Sequence, residues 1–180
     1  MKNFWLNKKV LITGHTGFKG SWLSLLLKSK GAKLYGISRN KNLKQKLNLY
    51  KLAKLNQFIK SYKSDIQDFK KLSNVFKKVQ PDICFHLAAQ AQIKDCYDNP
   101  LETFKSNTLG VANILESVRL SNSLKAIVLI SSDAVYKNLD TYYPYAEINR
   151  LGGKDPYSAS KSAAELLTAS YSKSYLDNKV

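Results

Sequence analysis

Apolar positions along the chain gather into short runs, separated by longer stretches in which they recur every three or four residues. The runs Lys9–Thr13 (KVLIT), Lys33–Ser38 (KLYGIS), Phe58–Tyr62, Ile83–Leu87 (ICFHL) and Ala126–Ser131 (AIVLIS) predict five strands. Between them, Ser21–Lys30, Phe69–Val79, Leu101–Leu120 and Tyr157–Tyr175 carry the spacing of amphipathic helices. Asn42–Asn56 is Lys/Leu-rich with helical spacing and sits where a variable insert is expected. The stretch Tyr136–Lys154, rich in Tyr, Asn, Gly and Pro, reads as a loop. Apolar strands alternating with helices predict an α/β fold, a doubly wound parallel sheet covered on both faces.

Length and composition change this picture little. A chain of 180 residues buries one good core, so residues 1–180 are expected to form one domain. No apolar run approaches the roughly 20 residues that span a bilayer, so no membrane partner is expected. Cys84 and Cys96 make neither a metal spacing nor a disulfide framework, no metal site is expected, and a reducing cytoplasm is the simplest location. The net charge of +16 raises the question of nucleic acid. All but three of the 29 basic residues (Arg39, Arg119, Arg150) are lysines, however, and they are spread along the chain. That distribution reads as solvated faces rather than a polyanion site, and no nucleic-acid partner is expected. A basic surface still steers anionic small molecules toward the protein.

The candidate chemistry sits at the ends of the predicted strands. Between the first strand and the first helix lies TGHTGFKG, with glycines at Gly14, Gly17 and Gly20. Such spacing serves a tight turn, a close backbone approach to a pyrophosphate, and close helix–strand packing, which identifies the fold as Rossmann-like. Thr16 and Phe18 belong to the same turn, and the following helix N-terminus offers N–H groups to phosphates. At the end of the second strand, Ser38 and Arg39 stand where the adenosine ribose is expected. The acidic residue that would bind the ribose 2′-hydroxyl is missing there. Arg39 leaves NADP open beside NAD, or is simply a solvated charge. Asp65 and Ile66 follow the third strand; Asp65 is placed either for the adenine amino group or as a helix N-cap. After the fourth strand, Leu87, Ala88, Ala89 and Gln90 form a small-residue loop along the expected cofactor. His86 reads as a packed strand histidine.

Tyr157-Ser158-Ala159-Ser160-Lys161 places a phenol and an ammonium one helical turn apart on one face. A free phenol titrates near ~10, and a neighbouring ammonium favours the phenolate, so the pair suits proton abstraction from an alcohol. Ser131-Ser132-Asp133 ends the fifth strand at the same rim. A hydroxyl there can bond a reacting oxygen, and the carboxyl of Asp133 can serve as a general acid or as a turn residue.

Together these motifs resemble the extended short-chain dehydrogenase/reductase family along essentially the whole chain. The strings TGHTGFKGSWL, HLAAQ, DNPLETFKSNTLGVANILE and LGGKDPYSASKSAAELLTASY are most similar to its CDP-glucose 4,6-dehydratase branch. The resemblance implies a bound NAD, a nucleotide-sugar substrate, a homodimer built on the Leu101–Leu120 and Tyr157–Tyr175 helices, and a place in deoxysugar or lipopolysaccharide biosynthesis. It implies that Ser132, Tyr157 and Lys161 are catalytic, that Asn107 orders the active site beside the cofactor, and that Asp133 is the dehydratase acid. The implied reaction oxidises carbon 4 of the sugar, eliminates the 6-hydroxyl as water, and returns the hydride to carbon 6.

Two departures qualify the resemblance. Dehydratases carry a base after the aspartate, and this chain has Ala134; SSDAVY also leans toward nucleotide-sugar 4-epimerases, which form a ketone and re-reduce it. A non-catalytic dinucleotide-binding module is a further alternative. Relatives also continue past the point where this chain stops, with more strands and a substrate-binding lobe. The expectation is therefore an N-terminal part, incomplete at its C-terminal end, with its fifth strand as an open edge and little activity alone.

Overall fold

The computed structural model describes residues 4–39, 48–140 and 142–176. Five strands, β1 (Lys9–Thr13), β2 (Lys33–Ser38), β3 (Ile59–Lys63), β4 (Ile83–His86) and β5 (Ala126–Leu129), form one sheet. Every pairing is parallel, and the spatial order is β3-β2-β1-β4-β5. Successive strands are added outward from β1 to β3 and then on the other side of β1 with β4 and β5. This switch opens a crevice at the carboxyl ends of β1 and β4, where sheets of this kind bind ligands.

Seven α-helices surround the sheet among the described residues: α1 (Phe18–Ser29), α2 (Leu49–Leu52), α3 (Phe69–Val79), α4 (Ile93–Asp98), α5 (Pro100–Phe104), α6 (Gly110–Arg119) and α7 (Pro156–Tyr171). Strand alternation divides the core in two. Leu11 and Ile37 face the side where Leu72, Val75, Phe76 and Val79 of α3 meet Val111, Ile114, Leu115 and Val118 of α6. In both helices the buried positions follow the spacing i, i+3, i+4, i+7, which explains why the sequence pattern found them. Val10, Ile12 and Leu34 face the other side, against Leu27 of α1 and Tyr50 and Leu55. The buried positions of α7 are small or polar instead: Ser158, Ser160, Ser162 and Ala164, with Lys161.

Several expectations shift. Of the predicted Asn42–Asn56 helix, residues 40–47 lie outside the described residues, and the remainder makes only the single turn α2. That turn ends where Lys54 adopts a left-handed backbone (φ 48°) before a 3₁₀ turn at Leu55–Gln57. The N-cap of α3 is Asp68, which accepts the Lys71 N–H at 3.0 Å, rather than Asp65. Asp65 instead accepts the Gln67 N–H at 3.0 Å, closing a tight turn. The predicted Leu101–Leu120 helix is interrupted by a π-helical turn at Lys105–Leu109, between α5 and α6. The final helix likewise passes into a π turn at Ser172–Leu176.

β5 is an edge, as expected. Its Ile127 and Leu129 pack into the α3/α6 core, while Val128 on the opposite face is 40% exposed.

Candidate active site

The dinucleotide turn is built by backbone constraints that only glycine meets. Gly14 has φ +73°, and a Cβ there would stand 2.9 Å from the Ala88 nitrogen. Gly20 lies so close to the Gly14 carbonyl and His15 Cα that a side chain has no room. The Gly14 N–H donates to the Ile37 carbonyl at 2.8 Å and Gly17 N–H to the Gly14 carbonyl at 3.0 Å, which turns the chain from β1 into α1. No side chain caps the N-terminus of α1 at Gly17, and its first turn holds no acidic residue. Its N–H groups and positive dipole end therefore suit an anion.

Beneath the turn, the His15 ring is buried against Gly36, where any Cβ would collide with it. His15 Nε2 bonds Ser61 Oγ at 2.8 Å, and Ser61 Oγ meets the Tyr50 hydroxyl at 3.0 Å, tying the turn to β3 and α2. Asn48 adds a bond from its Nδ2 to the Thr16 carbonyl at 3.3 Å. Burial pushes the His15 imidazole down to about 4, so it is neutral near pH 7. Sequence reasoning missed this support, because a histidine between two glycines gives no local sign of what it packs on.

A cleft of about 840 Å³ opens over the turn, within the size range of cofactor sites. Its walls take in Gly14, Thr16, Gly17, Phe18 and Gly20 from the turn, Ser38 and Arg39 after β2, and Asp65 and Ile66 after β3. Leu87, Ala88, Ala89 and Gln90 line it from the loop after β4, and Tyr157 and Lys161 from α7. Ile130 and Ser131 extend the wall past β5, and Glu102 of α5 joins it beside Arg39 and Asp65. The sequence reading had Ser131 at this rim but did not single out Ile130 or Glu102.

Lys161 is buried and donates from Nζ to the Ile130 carbonyl at 2.5 Å. Its ammonium is held below the usual lysine range, chiefly by burial; Glu165 works against this and Lys19 adds to it. The helix that carries Tyr157 and Lys161 is fixed at its start by Asp155. That carboxylate accepts the Ser158 N–H at 3.0 Å and the Ser158 hydroxyl at 2.5 Å, and Pro156 occupies the first turn.

Asn107, in the π turn, is buried below the cleft rather than on its wall. It accepts the Gln90 N–H at 2.8 Å and donates to the Gln90 carbonyl and to Ser160 Oγ, each at 3.0 Å. One side chain thus fixes the cofactor-side loop to the residue preceding Lys161. His86 is buried behind that loop, with Nδ1 on Thr13 Oγ1 at 2.7 Å. Burial, helped by the Lys161 charge, pushes it down to about 3, which fits a packed strand histidine.

Ser132 and Asp133 are not on the cleft wall. Ser132 Oγ accepts the Ala134 N–H and donates to Asp133 Oδ1, both at 3.2 Å, at the start of a 3₁₀ turn. Among the described residues, no helix is long and apolar enough to cross a membrane, and no group of three or more His, Cys, Asp or Glu side chains is placed to hold a metal.

A family model described as GDP-mannose 4,6 dehydratase matches residues 11–177. The chain is 41% identical to a CDP-glucose 4,6-dehydratase of Salmonella typhimurium over 98% of its own length and 48% of the relative's. Among solved structures, the epimerase Mth375 of Methanothermobacter thermautotrophicus superposes with a TM-score of 0.80 at 29% identity, covering 96% of this chain and 49% of that one. A UDP-glucose 4-epimerase of Thermus thermophilus in complex with NAD gives 0.75 at 26% identity, over 93% and 51%. The chain thus spans about half the length of the relatives it matches. With its parallel sheet, glycine turn and tyrosine–lysine helix, it belongs to the GDP-mannose 4,6-dehydratase family of extended short-chain dehydrogenases/reductases.

Proposed function

We propose that this chain is the cofactor-binding part of a nucleotide-sugar 4,6-dehydratase that acts on CDP-glucose. The observation that carries the reading is a single cleft whose walls hold both the glycine turn and the Tyr157–Lys161 pair. The 41% identity to a CDP-glucose 4,6-dehydratase supports the choice of substrate. The uncapped α1 N-terminus and the two side-chain-free positions Gly14 and Gly20 fit a dinucleotide pyrophosphate. A nicotinamide dinucleotide bound there supplies the hydride acceptor and, later, the donor.

The protein's own groups act in sequence on the sugar. Tyr157 takes the proton of the 4-hydroxyl as carbon 4 gives up its hydride. Lys161, fixed by the Ile130 carbonyl, holds positive charge beside the developing phenolate. The 4-ketone acidifies the hydrogen on carbon 5. That proton passes to a base other than residue 134, an alanine. The 6-hydroxyl leaves as water, protonated by Asp133, which must turn from Ser132 toward the sugar to do so. Hydride returns to carbon 6 and a proton to carbon 5, so the overall change is loss of one water. Ser132 steadies the reacting oxygen, and Asn107 positions Gln90 and Ser160 around the pair. The chain spans about half the length of its CDP-glucose 4,6-dehydratase relative; in this reading the sugar is gripped by a further lobe and the complete enzyme works as a homodimer. Exposed Leu101, Leu109 and Leu166 support that assembly.

One observation favours 4-epimerisation instead: Ala134, directly after Asp133, has no group that accepts a proton. The full-length gene product incubated with CDP-glucose, and separately with UDP- and dTDP-glucose, decides by mass spectrometry. Loss of one water from CDP-glucose supports dehydration; unchanged mass with altered configuration at carbon 4 overturns it in favour of the epimerase.

A further inference from the structure

The ribose end of the cleft contains a carboxylate that the strand sequence lacks. Folds of this kind read the adenosine ribose with a group at the end of the second strand: an acid for a free 2′-hydroxyl, or an arginine for a 2′-phosphate. The position after β2 is Arg39, which by itself points to a 2′-phosphate. Arg39 is not available as a lone cation, however. Its Nη1 donates to Glu102 Oε1 at 3.0 Å and lies 3.5 Å from Asp65 Oδ2.

Glu102 comes from α5, 63 residues further along the chain. It is held in place from a second side, because Gln67 Nε2 donates to the same Oε1 at 2.7 Å. Asp65 is the weaker partner, at 3.5 Å against 3.0 Å for Glu102. Both carboxylates and Arg39 line the cleft. Two negative charges therefore share one guanidinium at the place where a 2′-phosphate would add about two more.

We infer that Glu102 is the residue that selects NAD over NADP, by occupying Arg39 and setting a carboxylate against a 2′-phosphate. The inference rests on the reading of the cleft as a dinucleotide site. A phosphate entering here must displace Glu102 from Arg39 and leave an unpaired carboxylate beside itself, whereas a ribose hydroxyl can donate to that carboxylate. Specificity then comes from a repulsive element as much as from an attractive one. Arg39 serves as the fixed support that holds Glu102 at the ribose end rather than as the phosphate anchor.

The test is calorimetric titration of the full-length gene product with NAD and NADP, and with 5′-AMP and adenosine 2′,5′-bisphosphate, which confine the comparison to the ribose end. The wild type is expected to prefer the ligands without the 2′-phosphate. Glu102→Gln keeps the shape and can still accept from Gln67, but it removes the charge and so weakens the hold on Arg39. It should narrow the preference by about five- to tenfold through tighter binding of the 2′-phosphorylated ligands. Adding Arg39→Ala to that variant should abolish the gain, whereas Arg39→Ala alone bares both carboxylates and should widen the preference for the ligands without the 2′-phosphate. A wild-type preference for NADP, an unchanged ratio in Glu102→Gln, or a gain that survives in the double variant would each overturn the inference while leaving the dinucleotide site intact. Failure of all four ligands to bind the folded wild type would overturn the reading of the cleft, and the inference with it.

Discussion

The side-chain amide of Asn107 matches the backbone of Gln90 group for group, accepting its N–H at 2.8 Å and donating to its carbonyl at 3.0 Å. The same Nδ2 reaches Ser160 Oγ at 3.0 Å, and the neighbouring Thr108 hydroxyl donates to the Ser160 carbonyl at 3.0 Å. The π-helical turn that interrupts the α5–α6 segment places both side chains where they meet α7.

Asn107→Ala leaves these part-buried polar groups without partners and should destabilise the fold by about 2–3 kcal/mol in urea unfolding. Asn107→Asp keeps the acceptor for the Gln90 N–H but sets a carboxylate against the Gln90 carbonyl, so it should not rescue. A wild-type unfolding midpoint for Asn107→Asp would refute the bidentate arrangement.

Gly20→Ala forces a methyl group into the Gly14 carbonyl and His15 backbone. Relief requires the turn to open, at about 1–3 kcal/mol, and should remove dinucleotide binding in a titration. Retained affinity at wild-type strength would contradict the tight packing of α1 on the turn.

Acid should unfold this protein partly through two histidines. His15 titrates at about 4 and His86 at about 3 in the folded state, against 6.5 for a free imidazole. Both stay neutral when folded and charge readily when unfolded, so the unfolded state binds more protons as pH falls below 6.5. Their stabilisation is complete above that value, shrinks steadily below it, and is lost once the pH has passed the folded values. At pH 5 these two groups should contribute uptake of about two protons on unfolding. Urea midpoints that stay flat from pH 7 to 4.5 would show that the two rings are not neutral and buried.

Tyr157→Phe should reduce turnover of the full-length gene product by about a hundred- to ten-thousand-fold, the usual range for a lost general base. NAD binding, measured separately, should persist. Turnover within tenfold of wild type would remove Tyr157 from the proton-transfer step.

Leu101 and Leu166 are 67% and 63% exposed and lie on the helices proposed for a dimer contact. Replacing both with lysine should leave the full-length gene product monomeric in sedimentation velocity. A dimer that survives both changes would place the contact elsewhere.

The sheet and the glycine turn were legible in the sequence because their constraints are local. Alternation and run length reveal a strand, and a turn with φ +73° at Gly14 needs its glycine wherever the rest of the chain goes. The Tyr157–Lys161 pair was legible for the same reason, since one helical turn joins them. Glu102 was not, because its partner Arg39 lies 63 residues away and nothing near either residue announces the other. The π turn was hidden as well: it adds so little to the helical period that Leu101–Leu120 still reads as one amphipathic stretch. Ser132 and Asp133 were expected at the end of the fifth strand, but β5 stops at Leu129, and their mutual hydrogen bond, away from the cleft wall, depends on how the following turn closes.

His15 and Gly36 occupy what is in effect one volume, shared between a ring and a hydrogen atom. Neither position is free to drift alone. A methyl at 36 is admissible only after the ring at 15 has given way to something smaller, and Ser61 and Tyr50 then lose the neighbour that organises them. The two sites are thus expected to change in pairs, large against small. Reversing the order, enlarging residue 36 first, forces the ring at 15 out of its place at a cost of about 1–3 kcal/mol.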